Sequence, residues 1–244
     1  MFHIYYRASN FDKPESRPES FSKIKCLKNF LFALKKISEF KLTIFFDGKP
    51  SKDFRGLVKD IGRISKLARR SNSESFWHAY LTAIKQKPND LVYFVEDDYI
   101  HTPDALMKLL ECSNELKVDY ITLYDHPVRY ANDYHFGLDV PHRINRIYLT
   151  KSHHWRTQES TCMTFASRVK TLRADYKIFD KYVRQRNVPE DRELFKRLQG
   201  LAGYEEGSPF RVLVGPIPSL CTHCHKDWLA PTINWQKILE KTII

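Results

Sequence analysis

Leu91-Val92-Tyr93-Phe94-Val95-Glu96-Asp97-Asp98 decides the reading of this chain, because five apolar residues, enough for a strand, run straight into three carboxylates. A continuous apolar run of that length fits a strand buried on both faces. Such a strand delivers its last residues to the carboxyl edge of an open sheet, where α/β proteins bind ligands. Three adjacent acids at that edge repel one another unless a cation joins them. A hard divalent metal held by carboxylate oxygens, which in turn holds a diphosphate, meets that need.

Outward from this strand the pattern alternates. His3 to Tyr6 reads as a strand, followed by a polar loop with Asp12, Pro14, Glu15 and Pro18. Ile24, Leu27, Leu31, Leu34 and Ile37 then recur at spacings of three and four, one apolar face of a helix. Leu42 to Phe46 predicts a second strand, closed by the turn pair Asp47-Gly48. Asn72 to Ser75 offers caps to a helix carrying Phe76, Tyr80 and Ile84, which Pro88 stops before the acidic strand. Thr102-Pro103-Asp104 has the composition of a helix start, and that helix carries Leu106, Leu109 and Leu110. Tyr120 to Leu123 follows as a strand. Strand, helix, strand in this order predicts an α/β fold with a mostly parallel central sheet flanked by helices.

Beyond Asp125 the pattern is less regular. Strands are expected at Ile147 to Leu149, Thr161 to Phe165 and Phe210 to Val214, and helices at Val169 to Arg184 and Pro189 to Leu201. With no internal repeat and no linker, residues 1–244 read as one domain, with one half over about 1–125 and the other over about 126–244.

Composition narrows the class. At 42% hydrophobic and 14% aromatic the chain can build a core, so disorder is excluded. No apolar run approaches the roughly 20 residues that cross a bilayer, and no signal-peptide pattern precedes the first strand. A cytoplasmic protein is expected. A net charge of +11 favours anionic partners, with the basic residues densest at Lys66 to Arg70 and Lys151 to Arg156. Five cysteines without an export signal argue for reduced thiols, and Cys26, Cys112 and Cys162 lie in apolar surroundings as small core residues.

Two further segments carry candidate chemistry. Glu190-Asp191 follows Pro189 at a helix start; acids there also stabilise a helix by about 0.3 to 1 kcal/mol each through its macrodipole, so the residues alone leave both readings open. Cys221-Thr222-His223-Cys224-His225 has the CxxCH spacing of a c-type haem, which requires export, and lacks the second ligand pair of a structural zinc site. His223 or His225 is then either a core histidine or a lone ligand to a metal anchored elsewhere.

Taken together, Tyr6 to Ser9 after the first strand, Asn72 to Phe76, VYFVEDD at 92–98, PEDRELFKRL at 189–198 and SLCTHCHKDWLAPTINW at 219–235 resemble the GT-A-fold, nucleotide-sugar-dependent glycosyltransferases, in particular inverting, family-2-like enzymes of bacterial or viral type. The resemblance spans nearly the whole chain. It implies a Rossmann-like nucleotide-sugar-binding half, a smaller acceptor-side and catalytic half, and Mn2+ or Mg2+ as cofactor. Carried over, Asp98 is the metal ligand and Asp97 the nucleoside contact, with Glu96 standing where the family's DxD element has Asp. Tyr6, Arg7, Ser9, Asn72 and Ser75 fall where the nucleotide is held. Asp191, ahead of Glu190, takes the place of the catalytic base, and His223, with His225 as substitute, completes the metal shell.

The resemblance implies transfer from a nucleotide diphosphate sugar, first of all a UDP-sugar, to a hydroxyl of a glycan, glycolipid or glycoprotein. The stretch from Tyr130 to Trp155 is a candidate acceptor surface, since its rings can pack on sugar faces. The basic balance suits an acidic or lipid-linked acceptor and peripheral association with the inner face of a membrane. Two rivals are a nucleotidyltransferase on a similar sheet, for which the early glycine-rich loop is missing at Ala8-Ser9-Asn10, and a basic nucleic-acid-binding protein. A transferase of this kind needs no nucleic-acid partner.

Overall fold

Alternation along β1 (Phe2–Ser9) shows how the core is divided: Phe2, Ile4, Tyr6 and Ala8 point to one face of the sheet and Tyr5 to the other. The computed structural model describes residues 1–68, 71–130, 145–201 and 207–242. Arg69 and Arg70 of the first basic cluster, and most of the aromatic stretch after Tyr130, lie outside them.

After β1 come α1 (Lys23–Leu34), β2 (Lys41–Asp47), α2 (Lys52–Val58), β3 (Gly62–Leu67), α3 (Asn72–Ala83), β4 (Leu91–Glu96), β5 (Tyr99–His101), α4 (Ala105–Glu115) and β6 (Tyr120–Ile121). The remainder is β7 (Ile147–Leu149), β8 (His154–Thr157), β9 (Phe165–Arg168), α5 (Val169–Ala174), α6 (Tyr176–Phe179), a π-turn at Asp180–Arg184, α7 (Asp191–Gln199), β10 (Leu213–Ile217), β11 (Cys221–His223) and α8 (Trp235–Thr242). Nine strands form one sheet in the order β3-β2-β1-β4-β9-β6-β10-β8-β7, in which only β9 and β8 run against the rest. This is an α/β architecture with a mostly parallel central sheet flanked by helices.

The acidic strand sits inside that sheet. β4 pairs in parallel with β1 on one side and antiparallel with β9 on the other. Leu91, Tyr93 and Val95 join the core that packs on α1 and α4, while Val92 and Phe94 join the one beneath α3 and α5 to α7. Burial on both faces is why this segment is apolar without alternation. α3 is closed at its start by a capping box of Ser71 and Glu74, which fixes where Asn72 stands.

Several sequence expectations need correction. The strand expected over Thr161 to Phe165 begins only at Phe165, because Cys162 and Met163 adopt left-handed backbone, φ 49° and 55°, and turn the chain around Asp191. Thr102 does not cap a helix: its hydroxyl donates to Asp104 at 2.8 Å and α4 starts at Ala105. The helix over Val169 to Arg184 is interrupted at Asp175, whose carboxylate takes the Tyr120 hydroxyl at 2.6 Å and the Arg211 guanidinium. The last parallel strand is Leu213–Ile217 rather than Phe210 to Val214, since Phe210 is itself left-handed, φ 51°, and exposed. All five cysteines are free thiols. Among the described residues no helix is long and apolar enough to cross a membrane.

Candidate active site

The three carboxylates leave β4 in a tight turn, and each finds a different basic partner. Glu96 takes Arg7 Nη1 at 3.0 Å, Asp97 lies 3.0 Å from Lys23 Nζ, and Asp98 lies 2.9 Å from Arg17 Nη2. Repulsion among the acids is thus met by three cations drawn from β1, the loop after it and the first residue of α1.

His223 reaches Asp98 because of a small second sheet. β5, which begins immediately after Asp98, pairs antiparallel with β11, placing Tyr99 opposite His223, and the two rings stack with centroids 5.4 Å apart. His223 Nε2 comes to 3.1 Å from Asp98 Oδ2, the same oxygen that Arg17 holds. The Cys224 N–H donates to the Asp98 carbonyl at 2.8 Å, and Arg17 Nη1 donates to the Cys224 carbonyl at 2.9 Å. Asp98 Oδ1 is buried and accepts no hydrogen bond. Burial opposes ionisation of Asp98, but His223 and Arg17 outweigh it and hold the carboxyl well below the usual carboxylate range. His223 is raised in return: burial lowers it, and the Asp98 charge and hydrogen bond more than compensate. His225, its ring 6.0 Å from that of His223, accepts the Asp227 N–H at Nδ1 at 3.3 Å and is lowered by burial and by His223.

Asp97 accepts the Ser9 N–H at 2.9 Å as well as pairing with Lys23. Burial raises its carboxyl; Lys23 opposes that rise and Asp98 adds to it. Ser9, Asn10, Arg17, Lys23, Phe54 and Asp97 line a cleft of about 530 Å³ at the carboxyl ends of β1 and β2. A depression of the same volume, about 530 Å³, lies around His3, Thr43 and Arg63 at the opposite, amino end of these strands, the wrong edge for a ligand of an open α/β sheet.

Not every sequence-selected residue offers its side chain to this cleft. Tyr6 is 1% exposed and packs on Phe30, so its side chain belongs to the core, although its hydroxyl lacks a partner there. Arg7 is buried across the Phe76 ring and ties β4 to α3, with Nη2 donating to Asn72 Oδ1 at 2.6 Å. Asn72 is therefore held by Arg7, and Ser75 is buried inside the first turns of α3. Glu190 is half-exposed and pairs with Arg186 at 3.2 Å.

Asp191 is the first residue of α7 and is enclosed by the left-handed turn. The N–H groups of Thr161, Cys162 and Met163 donate to it at 2.9, 3.1 and 3.0 Å, and the Thr161 hydroxyl at 2.7 Å. Each carboxylate oxygen takes two of these, which uses the roughly four lone-pair positions available. Glu96 is raised by burial against the pull of Arg7, and both Asp98 and Asp191 lie near enough to push it further while His223 pulls it back.

Sequence reasoning missed Arg17, Lys23 and the 161–163 turn. Two prolines, Pro14 and Pro18, bracket Arg17 and mark an ordered loop, the one signal available; left-handed backbone at Cys162 and Met163 has none. It also took Trp155 for an acceptor-surface residue, whereas Trp155 is fully buried with its indole N–H donating to Thr150 Oγ1 at 3.2 Å.

No family model matches this sequence, and no curated protein matches it. Among solved structures, CMP:2-keto-3-deoxy-manno-octonic acid synthetase complexed with CTP is similar at a TM-score of 0.49 and 11% identity, over 88% of this chain and 88% of that one. S. aureus TarS (residues 1–349) is similar at 0.45 and 14%, over 72% of this chain, which spans 49% of that structure's length. Glucosyl-3-phosphoglycerate synthase from Mycobacterium tuberculosis, in complex with Mg2+ and uridine diphosphate, is similar at 0.39 and 10%, over 68% and 56% of the two chains.

Proposed function

We propose that this protein is a divalent-metal-dependent glycosyltransferase that moves a sugar from a nucleoside diphosphate sugar, a UDP-sugar first of all, to an acceptor hydroxyl with inversion. One observation carries the reading: Asp98 and His223, 125 positions apart in sequence, meet at 3.1 Å where β5 pairs with β11.

The donor set fits a hard or borderline divalent ion. Asp98 supplies a carboxylate whose Oδ1 is buried without a partner, and His223 supplies an imidazole nitrogen. Two protein ligands suit Mn2+ or Mg2+ completed by phosphate oxygens and water. Bound there, the metal would supply charge stabilisation for a departing diphosphate. Arg17 and Lys23, now turned onto Asp98 and Asp97, are the cations of this chain that stand ready for the same phosphates, and Asp97 and Ser9 face the cleft where the nucleoside would lie.

In the transfer the acceptor oxygen forms a bond to the anomeric carbon while the bond to the β-phosphate oxygen breaks. The electron pair leaves with the nucleoside diphosphate and the acceptor proton passes to Asp191. One displacement with one base inverts the anomeric centre. Of the four donors on Asp191 only the Thr161 hydroxyl can rotate, and turning it aside frees a lone-pair position on Oδ1 for that proton.

The test is incubation with Mn2+ and a panel of nucleotide sugars, following release of nucleoside diphosphate, together with melting in UDP or GDP plus metal. Ligand at about 100 times its dissociation constant adds about 2.7 kcal/mol. Metal-dependent release from one donor supports the reading. A silent panel without thermal stabilisation overturns it, and so does pyrophosphate release from a nucleoside triphosphate, the signature of a nucleotidyltransferase.

A further inference from the structure

Arg129, Arg156, Asp125 and Glu159 form a second cluster of charges, gathered around Tyr130. Arg156, 8% exposed, donates through Nη2 to Asp125 Oδ1 at 2.5 Å and lies across the Tyr130 ring at 5.2 Å. Asp125, itself 1% exposed, also accepts the Tyr130 hydroxyl and the Gln158 amide. Arg129 pairs with the buried Glu159 at 3.0 Å. Arg156 lies across the ring of Tyr130, the residue after Arg129, so two guanidinium groups and two carboxylates share this place.

The pairing is incomplete in a particular way. Nε of Arg129 and Nε of Arg156 are both buried and donate to nothing. A buried N–H of a charged group without an acceptor is costly, and two of them on neighbouring arginines mark a place where anionic oxygen is wanted. Burial first, and then Arg156 and Arg192, bring Arg129 down to about 10. Arg192 follows Asp191 directly on α7.

We propose that Arg129 and Arg156 form a subsite for an anionic group, phosphate or carboxylate, carried by the acceptor. The anion site stands on the arginines; calling its occupant the acceptor rests on the transferase reading above. Guanidinium forks suit such oxygens because they can give two parallel charge-assisted bonds. A neutral sugar chain would leave the two Nε–H groups as they are.

The experiment is a 15N NMR titration of the whole protein, following the arginine Nε–H resonances, with Arg129→Lys and Arg156→Lys assigning the two signals. Orthophosphate and acetate are the probes, and their relative strength tells phosphate from carboxylate. Saturable movement of both signals with either probe is the expected result. Both signals staying in place with both anions, up to concentrations that fill a site of about 10 mM affinity, would overturn it. Nucleoside diphosphate release is measured separately, so a protein that fails there yet moves both signals loses the transferase reading and keeps the anion site.

Discussion

The acidic turn and the arginine cluster differ in what they leave unpaired. In the acidic turn, Arg7 meets Glu96, Lys23 meets Asp97, and Arg17 and His223 both meet Asp98, whose Oδ1 stays without a hydrogen bond, as does Nε of Arg7. In the arginine cluster two buried donors, Nε of Arg129 and Nε of Arg156, are without acceptors. A site with a spare buried acceptor suits a cation, and one with spare buried donors suits an anion. Asp191 is fixed by a separate turn, Thr161 to Met163.

The contrast can be broken hardest at Asp98. Asp98→Asn keeps the shape and removes the charge, and metal-dependent release of nucleoside diphosphate is expected to fall by about a thousandfold, with loss of metal-dependent stabilisation by UDP in a melting experiment. Unchanged release would remove Asp98 from the chemistry. On the other side, Asp125→Ala leaves the buried Arg156 without its ion partner. Chemical denaturation should show a loss of about 3 to 5 kcal/mol, and a cost below about 1 kcal/mol would mean the arginine finds another partner.

Thr161→Val removes the one rotating donor on Asp191. Stability should drop by about 1 kcal/mol, while the transfer rate holds or rises if that hydroxyl must swing away for Asp191 to accept a proton. A rate loss of about tenfold or more would instead assign the hydroxyl a direct part in the proton's path.

A carboxylate outside both clusters sharpens the comparison. Glu111 accepts the Ser152 N–H at 2.8 Å; burial alone would raise it, but hydrogen bonds from Thr150 and Ser152 bring it below its ordinary value. Its contribution is therefore fully present above about pH 4.5 and is lost as pH falls through the lower folded value. Glu111→Gln should cost under about 1 kcal/mol at neutral pH and flatten this acid limb of the stability curve.

The acidic cluster was legible because its elements announce themselves. Val92 and Phe94 against Tyr93 and Val95 divide a doubly buried strand, and the abrupt change to Glu96 marks its carboxyl edge. The arginine cluster was not. Arg156 sits in a basic run, Lys151 to Arg156, that reads as surface, yet it is turned inward by β8 pairing with β10. Asp125 and Glu159 lie in loops without period. Charge pairing across a sheet depends on register, which spacing along one strand does not encode. The same holds for β5 and β11, each only three residues long, whose pairing alone decides that His223 rather than His225 meets Asp98.

That short ladder has a consequence for how the molecule comes into being. Asp98 leaves the ribosome long before the imidazole that meets it, so a growing chain carries the three acids without their final partner until residue 223 has been translated and β11 has docked on β5. A chain that stops before Cys221 lacks β11 and His223, so the contact with Asp98 cannot form in it.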